Sequence, residues 1–349
     1  MNNSSHTPSA GTVQSCEDTK AMTRRLVRHC AAYKGANTKR SIVQLIITIV
    51  PFFALIAVML LAVEHDFWAG LVLVLPAGAF LVRIFIIQHD CGHGSYLSTR
   101  KANNRLGRLL SLLTVTPYSF WQKAHHMHHA TSGNLDKRGF GDIDTLTVVE
   151  YTALSRAGRL SYRLRRNPLV LFLFGMPYLF IIGHRIPLGM PFSFAKVWRS
   201  VLSTDLSLVL IYGAVIALFG IKAFLLVILP SIAVAAWIGG WMFYIQHQFE
   251  ETHWATHKEW NLHAAAILGS SHYVLPSALQ WLTGNIGLHH IHHLCGTIPF
   301  YRLKDCLDAS PELQAMNRLT LLESLKCMRL TLWDEHAQKL IGFSDIKVA

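Results

Sequence analysis

Long apolar runs alternate with polar, histidine-bearing stretches along this chain. The first two apolar runs cover residues 41–63 and 67–87, and the acidic turn Glu64-His65-Asp66 separates them. Each run can cross about 30 Å of hydrocarbon as a helix, because a helix rises about 1.5 Å per residue. The pattern therefore predicts a transmembrane hairpin whose two ends lie on the same side of the membrane.

A second transmembrane hairpin is predicted from the runs 206–219 and 223–244, which meet at Gly220-Ile221-Lys222. Another apolar run, 169–183, contains Pro177 and is shorter than a normal span, so we interpret it as interfacial or re-entrant. A full fifth crossing there would put the histidines near the C-terminus on the opposite side of the membrane from the earlier ones, so that they could not share a site. Four spans are therefore predicted.

The polar remainder of the chain is predicted to form a cap and two terminal regions. Residues 88–168 carry many charges and no spanning run. The chain then divides into an N-terminal segment 1–40, a membrane domain 41–306 and a C-terminal region 307–349. In that last region Ser310-Pro311-Glu312 is a typical helix start, and an amphipathic helical pattern follows it. The predicted fold class is an all-α integral membrane protein with four transmembrane helices and a helical cap.

Composition supports a membrane protein and gives its orientation. Hydrophobic residues make up 52% of the 349 residues and charged residues 15%, and mean hydropathy is +0.32, which leaves too little polar surface for a soluble protein of this size. The net charge is +12, yet the basic residues flank apolar runs and do not form one aromatic-rich patch, so nucleic-acid binding is not expected. Basic residues before the first span indicate that the termini and the cap are cytoplasmic. Residues 1–20 lack the apolar core of a secretory signal.

Half of the 20 histidines lie in three five-residue windows, 89–93, 125–129 and 289–293. Spacings of three and four residues put side chains on one face of a helix, so each window presents its imidazoles in one direction. The one-face spacings select two histidines in the first window and three in each of the others, eight in all. Eight ligands are too many for one tetrahedral zinc ion and suit two octahedral iron ions. A lone histidine, such as His184 or His336, is interpreted as an ordinary polar residue.

The order of these motifs, HxxxH, HxxHH and HxxHH with two membrane hairpins, resembles the membrane fatty acid desaturase and hydroxylase superfamily. The flanking sequences HDCGHG at 89–94, GDIDTL at 141–146 and GNIGLHHIHHL at 284–294 resemble bacterial and plastid-type omega-6 (delta-12) acyl-lipid desaturases. The resemblance covers residues 40–306.

This resemblance implies a set of ligands and of residues that support them. His247, directly after the last span, corresponds to a further histidine ligand in related enzymes, and His253 and His257 are weaker candidates for that role. His126 and His290 are not expected to be ligands, because their side chains would point about 100° away on a helix. The expected iron ligands are His89, His93, His125, His128, His129, His247, His289, His292 and His293. Acids expected to accept their free ring N–H groups are Asp90, Asp142, Asp144 and Glu250.

The resemblance also implies an activity. The enzyme would use O2, two electrons and two iron ions to insert a cis double bond, at the delta-12 (omega-6) position, into a lipid-linked acyl chain in a bacterial inner membrane. The sequence contains no cytochrome b5-like haem signature, so a separate electron donor, a ferredoxin, is expected. The acyl chain would reach the irons through an apolar tunnel, for which the candidate lining residues are Trp121, Phe243, Tyr244 and Trp281.

The sequence is also compatible with other functions. The same site is compatible with a diiron hydroxylase or an omega-3 desaturase. A histidine-rich transition-metal transporter is a different class of protein, but it would place ligands inside the spans, which here are nearly free of ionisable groups. A haem-binding electron carrier would need paired histidines that face each other across helices.

Overall fold

The computed structural model of the chain describes residues 10–139, 142–187 and 194–346. The first nine residues of the predicted N-terminal segment, the last three of the C-terminal region and Gly141 of the motif at 141–146 lie outside these ranges. The fold is mostly helical. Its helices are α1 (Ala10–Ala31), α2 (Thr38–Glu64), α3 (Val74–His93), α4 (Arg100–Leu110), α5 (Tyr118–Thr131), α6 (Val148–Ala153), α7 (Arg156–Arg165), α8 (Met176–Ile181), α9 (Phe194–Ala223), α10 (Leu229–His247), α11 (Leu262–Leu268), α12 (Ser277–Leu282), α13 (His289–Leu294), α14 (Phe300–Asp308), α15 (Pro311–Ala315) and α16 (Leu321–Ser324).

Three stretches of the described chain are long and apolar enough to cross a membrane as helices, namely Thr38–Glu64, Trp68–His93 and Ala195–His247. The first is α2, and the second joins a 3₁₀ turn, Trp68–Leu73, to α3. These two stretches coincide with the first predicted hairpin. Only a third to a half of each apolar window is buried, as expected for a helix with one face directed toward lipid.

The third stretch bends back on itself at the predicted turn. Gly220 has φ 79° and ψ 161°, a backbone conformation that is essentially restricted to glycine, and a short π-helical segment, Phe224–Ile228, leads into α10. Lys222 lies beside Asp66 of the first turn, with its Nζ 3.5 Å from the carboxylate. Near the start of α9, the Ser200 hydroxyl instead accepts a hydrogen bond from a backbone N–H of α5. The two halves of the stretch therefore run in opposite directions along the bundle.

The predicted interfacial or re-entrant run is a bent segment. It comprises a π-helical stretch, Leu169–Gly175, then α8 and a 3₁₀ turn, Gly183–Arg185. The segment Leu169–Arg185 is bent by 61° from α7, as in a broken span or a re-entrant loop. Helix α8 approaches α10 closely, because a Cβ on Gly240 would lie 2.4 Å from the Met176 side chain. That this segment is interfacial or re-entrant, and does not cross the membrane, stays a prediction.

The C-terminal region differs from its prediction. The predicted start is found, since Ser310 caps α15 by accepting a hydrogen bond from the Leu313 N–H. The expected continuous amphipathic helix after it is wrong. Asn317 has a positive φ of 43°, and the next residues form a strand that pairs with residues His272–Val274, so tertiary backbone pairing overrides the helical pattern. The strands are β1 (Leu146–Thr147), β2 (His272–Val274), β3 (Arg318–Thr320), β4 (Leu332–Asp334) and β5 (Lys339–Ile341).

These short strands attach the C-terminal region to the cap. β4 pairs in parallel with β1 and antiparallel with β5, and β2 pairs in parallel with β3. The buried Tyr162 hydroxyl donates a hydrogen bond of 2.7 Å to the Thr331 carbonyl. The C-terminal region thus packs against residues 146–162, and through Tyr244 it contacts the end of α10 that carries His247.

Candidate metal centre

The first histidine window occupies the last turn of α3. His89 and His93 are one turn apart, with ring centroids separated by 4.7 Å. Gly94 follows with φ 74°, the left-handed conformation that commonly ends a helix and that glycine adopts without steric cost. Helix α3 therefore stops directly after its second histidine.

The other two windows lie on α5 and on the short helix α13. In α5 the rings of His125 and His129 are 4.6 Å apart, whereas the His126 ring turns away and its Nε2 contacts the Gly92 carbonyl at 3.1 Å. In α13 the His290 ring likewise turns away and contacts the Leu313 carbonyl at 3.1 Å. Helical geometry thus separates these two rings from their neighbours, as the spacing predicts.

The structure brings all nine expected ligands into two adjacent groups. Within each group, one ring nitrogen of every histidine lies within 4.8 Å of the corresponding atom of every other member. In the five-histidine group three rings are half-buried, whereas every ring of the four-histidine group is buried. The five-histidine group consists of His89, His93, His125, His129 and His292, and the four-histidine group of His128, His247, His289 and His293.

His247 at the end of α10 takes the position that the sequence assigned to an additional ligand. Its Nε2 lies 3.1 Å from the Nε2 atoms of both His128 and His289. Of the two weaker candidates, neither His253 nor His257 belongs to either group, and His257 instead contacts the Asn134 side chain.

Burial keeps five of these rings in their neutral, ligating form. It lowers their pKa well below the ordinary value, and neighbouring imidazoles lower the pKa further because one positive ring disfavours another. Neutral imidazole is the form that binds a metal. The pKa is lowered in this way for His125, His129, His289, His292 and His293.

The hydrogen bonds around the four-histidine group show that its donor set fits a metal ion. The Nδ1 of His128 lies 2.8 Å from Asp142, and the Nδ1 of His247 lies 2.9 Å from the Gly269 carbonyl. A carboxylate or carbonyl oxygen can only accept, so each ring carries its proton on Nδ1 and directs the Nε2 lone pair into the group. Two such lone pairs then face each other across 3.1 Å. A cation removes this repulsion, and neighbouring nitrogen ligands at about 2.1 Å from one metal lie roughly this far apart.

Two of the four predicted acids support the histidines. Asp142 contacts His128 as described, and Asp90 lies 3.2 Å from the Nδ1 of His89 while it accepts a 2.6 Å hydrogen bond from the backbone N–H of Phe300. The prediction is wrong for the other two. Asp144 pairs with Arg165, Glu250 pairs with Lys339, and both carboxylates are more than half exposed. Both lie in irregular segments, where sequence distance does not set side-chain direction.

An apolar cavity of about 380 Å³ meets both histidine groups. It lies between α3, α8 and α10, and it reaches the rings of His89 and His125 in one group and of His128 and His289 in the other. Its volume lies at the small end of the range for ligand-binding pockets. Residues along its apolar wall include Leu81, Val82, Phe85, Met176, Leu179, Ile232, Ala235, Ala236, Gly239 and Met242.

Two of the four predicted tunnel residues line this cavity. Trp121 stacks on the His125 ring at 4.9 Å, and Phe243 lies 5.5 Å from the His128 ring. The other two do not line it, and that part of the prediction is wrong. Tyr244 faces the C-terminal region, where its hydroxyl lies 3.1 Å from the Cys327 and Leu330 carbonyls and shares its one proton between them. Trp281 lies on the far side of α3, with its ring 4.0 Å from the Arg83 guanidinium.

The sequence reasoning missed the Gly269 carbonyl and most of the cavity wall. A backbone carbonyl has no residue signature, so no sequence signal identifies Gly269. The small residues of α10 do carry a signal. Ala235 and Gly239 lie eight and four residues before the predicted tunnel residue Phe243, so all three share one helix face.

Comparison with known proteins identifies the family. The model of the fatty acid desaturase family matches residues 66–323. The chain is 41% identical over 324 residues to a fatty acid desaturase of Bacillus subtilis, a match that covers 93% of this chain and 92% of the relative. The chain belongs to the fatty acid desaturase family. The resemblance inferred from the histidine motifs is thereby confirmed.

More distant members of the fatty acid desaturase family differ in their named activities. An sn-1 oleoyl-lipid 12-desaturase of Picosynechococcus is 26% identical, over 65% of this chain and 65% of that protein. A chloroplastic sn-2 acyl-lipid omega-3 desaturase (ferredoxin) of Helianthus annuus is 25% identical, over 67% of this chain and 53% of that protein. At these identities the position of the double bond does not transfer to this chain.

Proposed function

We propose that this chain is a membrane diiron acyl-lipid desaturase that introduces a cis double bond at the omega-6 (delta-12) position. The observation that carries the proposal is the meeting of two histidine groups with one apolar cavity. A metal transporter needs a polar route between the two sides of a membrane, whereas this cavity has an apolar wall and is suited to hold a hydrocarbon chain.

The two groups would each hold one iron ion. Five and four imidazoles exceed the needs of a single tetrahedral zinc ion and resemble the nitrogen-rich sets that suit iron. Bound iron would supply the activation of dioxygen that removal of hydrogen from an unactivated methylene pair requires.

The protein's own residues would hold the acyl chain against this centre and keep water away from it. Trp121 and Phe243 pack directly on ligand histidines, so a chain in the cavity would lie in an apolar slot beside the rings. Asp90, Asp142 and the Gly269 carbonyl would fix the orientation of the rings to which they bond. Precise placement of this kind selects the carbons that react.

We further propose four membrane spans, with the cap and both termini in the cytoplasm of a bacterial inner membrane. The turn at Gly220 and its contact with Asp66 support two crossings within Ala195–His247. The basic residues that precede α2 support the orientation, because cytoplasmic segments carry an excess of lysine and arginine.

A separate acidic electron carrier, a ferredoxin, is proposed as the donor. Helix α4 carries four exposed basic residues, Arg100, Lys101, Arg105 and Arg108. It packs beside the end of α3, where the half-buried five-histidine group lies closer to the surface than the other group. A basic surface at this place would steer an acidic partner toward the nearer metal. The name of the Helianthus relative, which specifies ferredoxin, is consistent with this choice.

Expression in a host that lacks polyunsaturated lipids tests the proposal, with fatty acids profiled by gas chromatography and mass spectrometry. We expect a new diene at the omega-6 position. We expect none from His128→Ala, which removes a ligand, whereas His126→Ala should retain the product because its ring points away from both groups. A hydroxylated product would contradict desaturation, and an omega-3 double bond would contradict the position alone.

A further inference from the structure

Gly239, in the middle of α10, is small for a reason other than packing. A Cβ added to it would meet no atom within 4 Å among the described residues outside its own helical surroundings. The next residue, Gly240, is the opposite case, because its Cβ would lie 2.4 Å from the Met176 side chain. Gly240 thus permits a close helix contact, whereas Gly239 borders the apolar cavity and leaves it open.

The residues before Gly239 extend this open wall. Ala235 and Ala236 also line the cavity, and positions three and four residues apart share a helix face. Bulky side chains border the cavity at both ends of this stretch, Phe243 on the histidine side and Ile232 on the other. Helix α10 therefore widens the cavity along one full turn.

This wide part is the hydrocarbon end of the cavity. Gly239 lies eight residues before His247, or about 12 Å along the helix axis. Helices α3 and α10 meet at Gly78 and Val234, which puts the cavity residues Leu81 and Val82 near the level of Gly239. The polar lining residue Gln246 instead lies beside the ligand His247. A lipid headgroup would leave its polar atoms without partners at the apolar end, so the methyl end of the chain belongs there.

We propose that Gly239 determines how many acyl carbons extend beyond the metal centre, and hence which chain length and which bond react. The inference rests on the proposed desaturase function. A larger residue at position 239 would displace the terminal methylenes, and each displaced methylene weakens binding about fourfold. The cavity would then accept shorter chains or place a carbon pair nearer the methyl end at the reaction site.

The test compares Gly239→Leu and Gly239→Ala with Gly213→Leu. Gly213 is a matched control, because it lies on the exposed face of α9 and its Cβ would also meet no described neighbour within 4 Å. Products from phospholipids of increasing chain length would be identified by mass spectrometry. For Gly239→Leu we expect at least a tenfold shift toward shorter chains, or a double bond moved toward the methyl end. Gly239→Ala should shift partway, and Gly213→Leu should match the wild type.

A second readout does not depend on turnover. Without reductant, binding of monounsaturated lipids should raise the melting temperature. For the wild type this rise should persist to longer acyl chains than for Gly239→Leu. A wild-type profile for Gly239→Leu in both assays would overturn the inference. If Gly239→Leu does not fold, an unchanged preference in Gly239→Ala would overturn it. If the wild type introduces no new double bond, the desaturase function is refuted. The melting assay would then still decide whether Gly239 limits the length of the bound chain.

Discussion

Substitution of Asp142 by asparagine should weaken iron binding at the four-histidine group. The Asp142 side chain is 7% exposed and contacts the Nδ1 of His128 at 2.8 Å, and its second oxygen has no hydrogen-bond partner among the described residues. Asp142→Asn therefore keeps the shape of the side chain and one acceptor oxygen, and removes the negative charge that fixes the tautomer and basicity of the ligand.

The expected loss follows from this one contact. A buried hydrogen bond to a charged group contributes about 1.5–3 kcal/mol, which corresponds to roughly 10- to 150-fold in a binding constant. Loss of a comparable carboxylate partner of a metal-bound histidine costs about 10- to 100-fold in metal affinity. The two estimates agree, so we expect iron affinity to fall between about 10- and 100-fold.

Metal competition would measure this loss. Purified protein in detergent would be loaded with ferrous iron without oxygen and titrated with a chelator, and the retained iron would be counted by mass spectrometry. Asp144→Asn is the matched control, because Asp144 lies two residues away but forms an exposed pair with Arg165 that contributes little. Wild-type affinity in Asp142→Asn, or an equal loss in both variants, would show that the Asp142 carboxylate does not support the metal ligand His128.

Three further predictions concern the rings and the cap. His129→Ala should lose iron from the five-histidine group and all activity, whereas His126→Ala should retain both; equal iron content in the two variants would contradict the assignment of these rings. Burial lowers the pKa of His272 to about 4. The contribution of the neutral ring to stability is therefore complete at pH values above the unfolded pKa of about 6.5, and it is lost as the pH falls toward 4. Thermal melting should show a loss of about 2 kcal/mol at pH 5 that His272→Gln lacks; equal acid sensitivity would contradict it. Tyr244→Phe removes the hydroxyl bonds to the C-terminal region and should lower the stability by about 1–3 kcal/mol with unchanged iron content; a loss of iron would instead place Tyr244 at the centre.

The sequence predicts those features that depend on helix periodicity. The histidine spacings repeat with the helical turn, so they indicate both the rings that converge and the two, His126 and His290, that turn away. The same geometry explains the error at Tyr244. Phe243 is four residues before His247, so its side chain points within about 40° of the His247 direction around the helix. Tyr244 is three residues before His247 and points about 60° to the other side.

Features outside regular helices could not be predicted in this way. Asp142 and Asp144 are two residues apart in an irregular segment, and only tertiary contacts direct one toward His128 and the other toward Arg165. The pattern from Leu313 onward is helical in sequence, but pairing of β3 with β2 gives a different structure. Such pairing joins segments far apart in the chain, so local periodicity does not report it.

The metal content of purified, active protein decides whether the two histidine groups each bind iron. If both histidine groups bind iron, elemental analysis of protein that desaturates lipid should give two iron atoms per chain and no stoichiometric zinc. Active protein that holds a single zinc ion, or one metal ion shared by all nine histidines, would contradict the account.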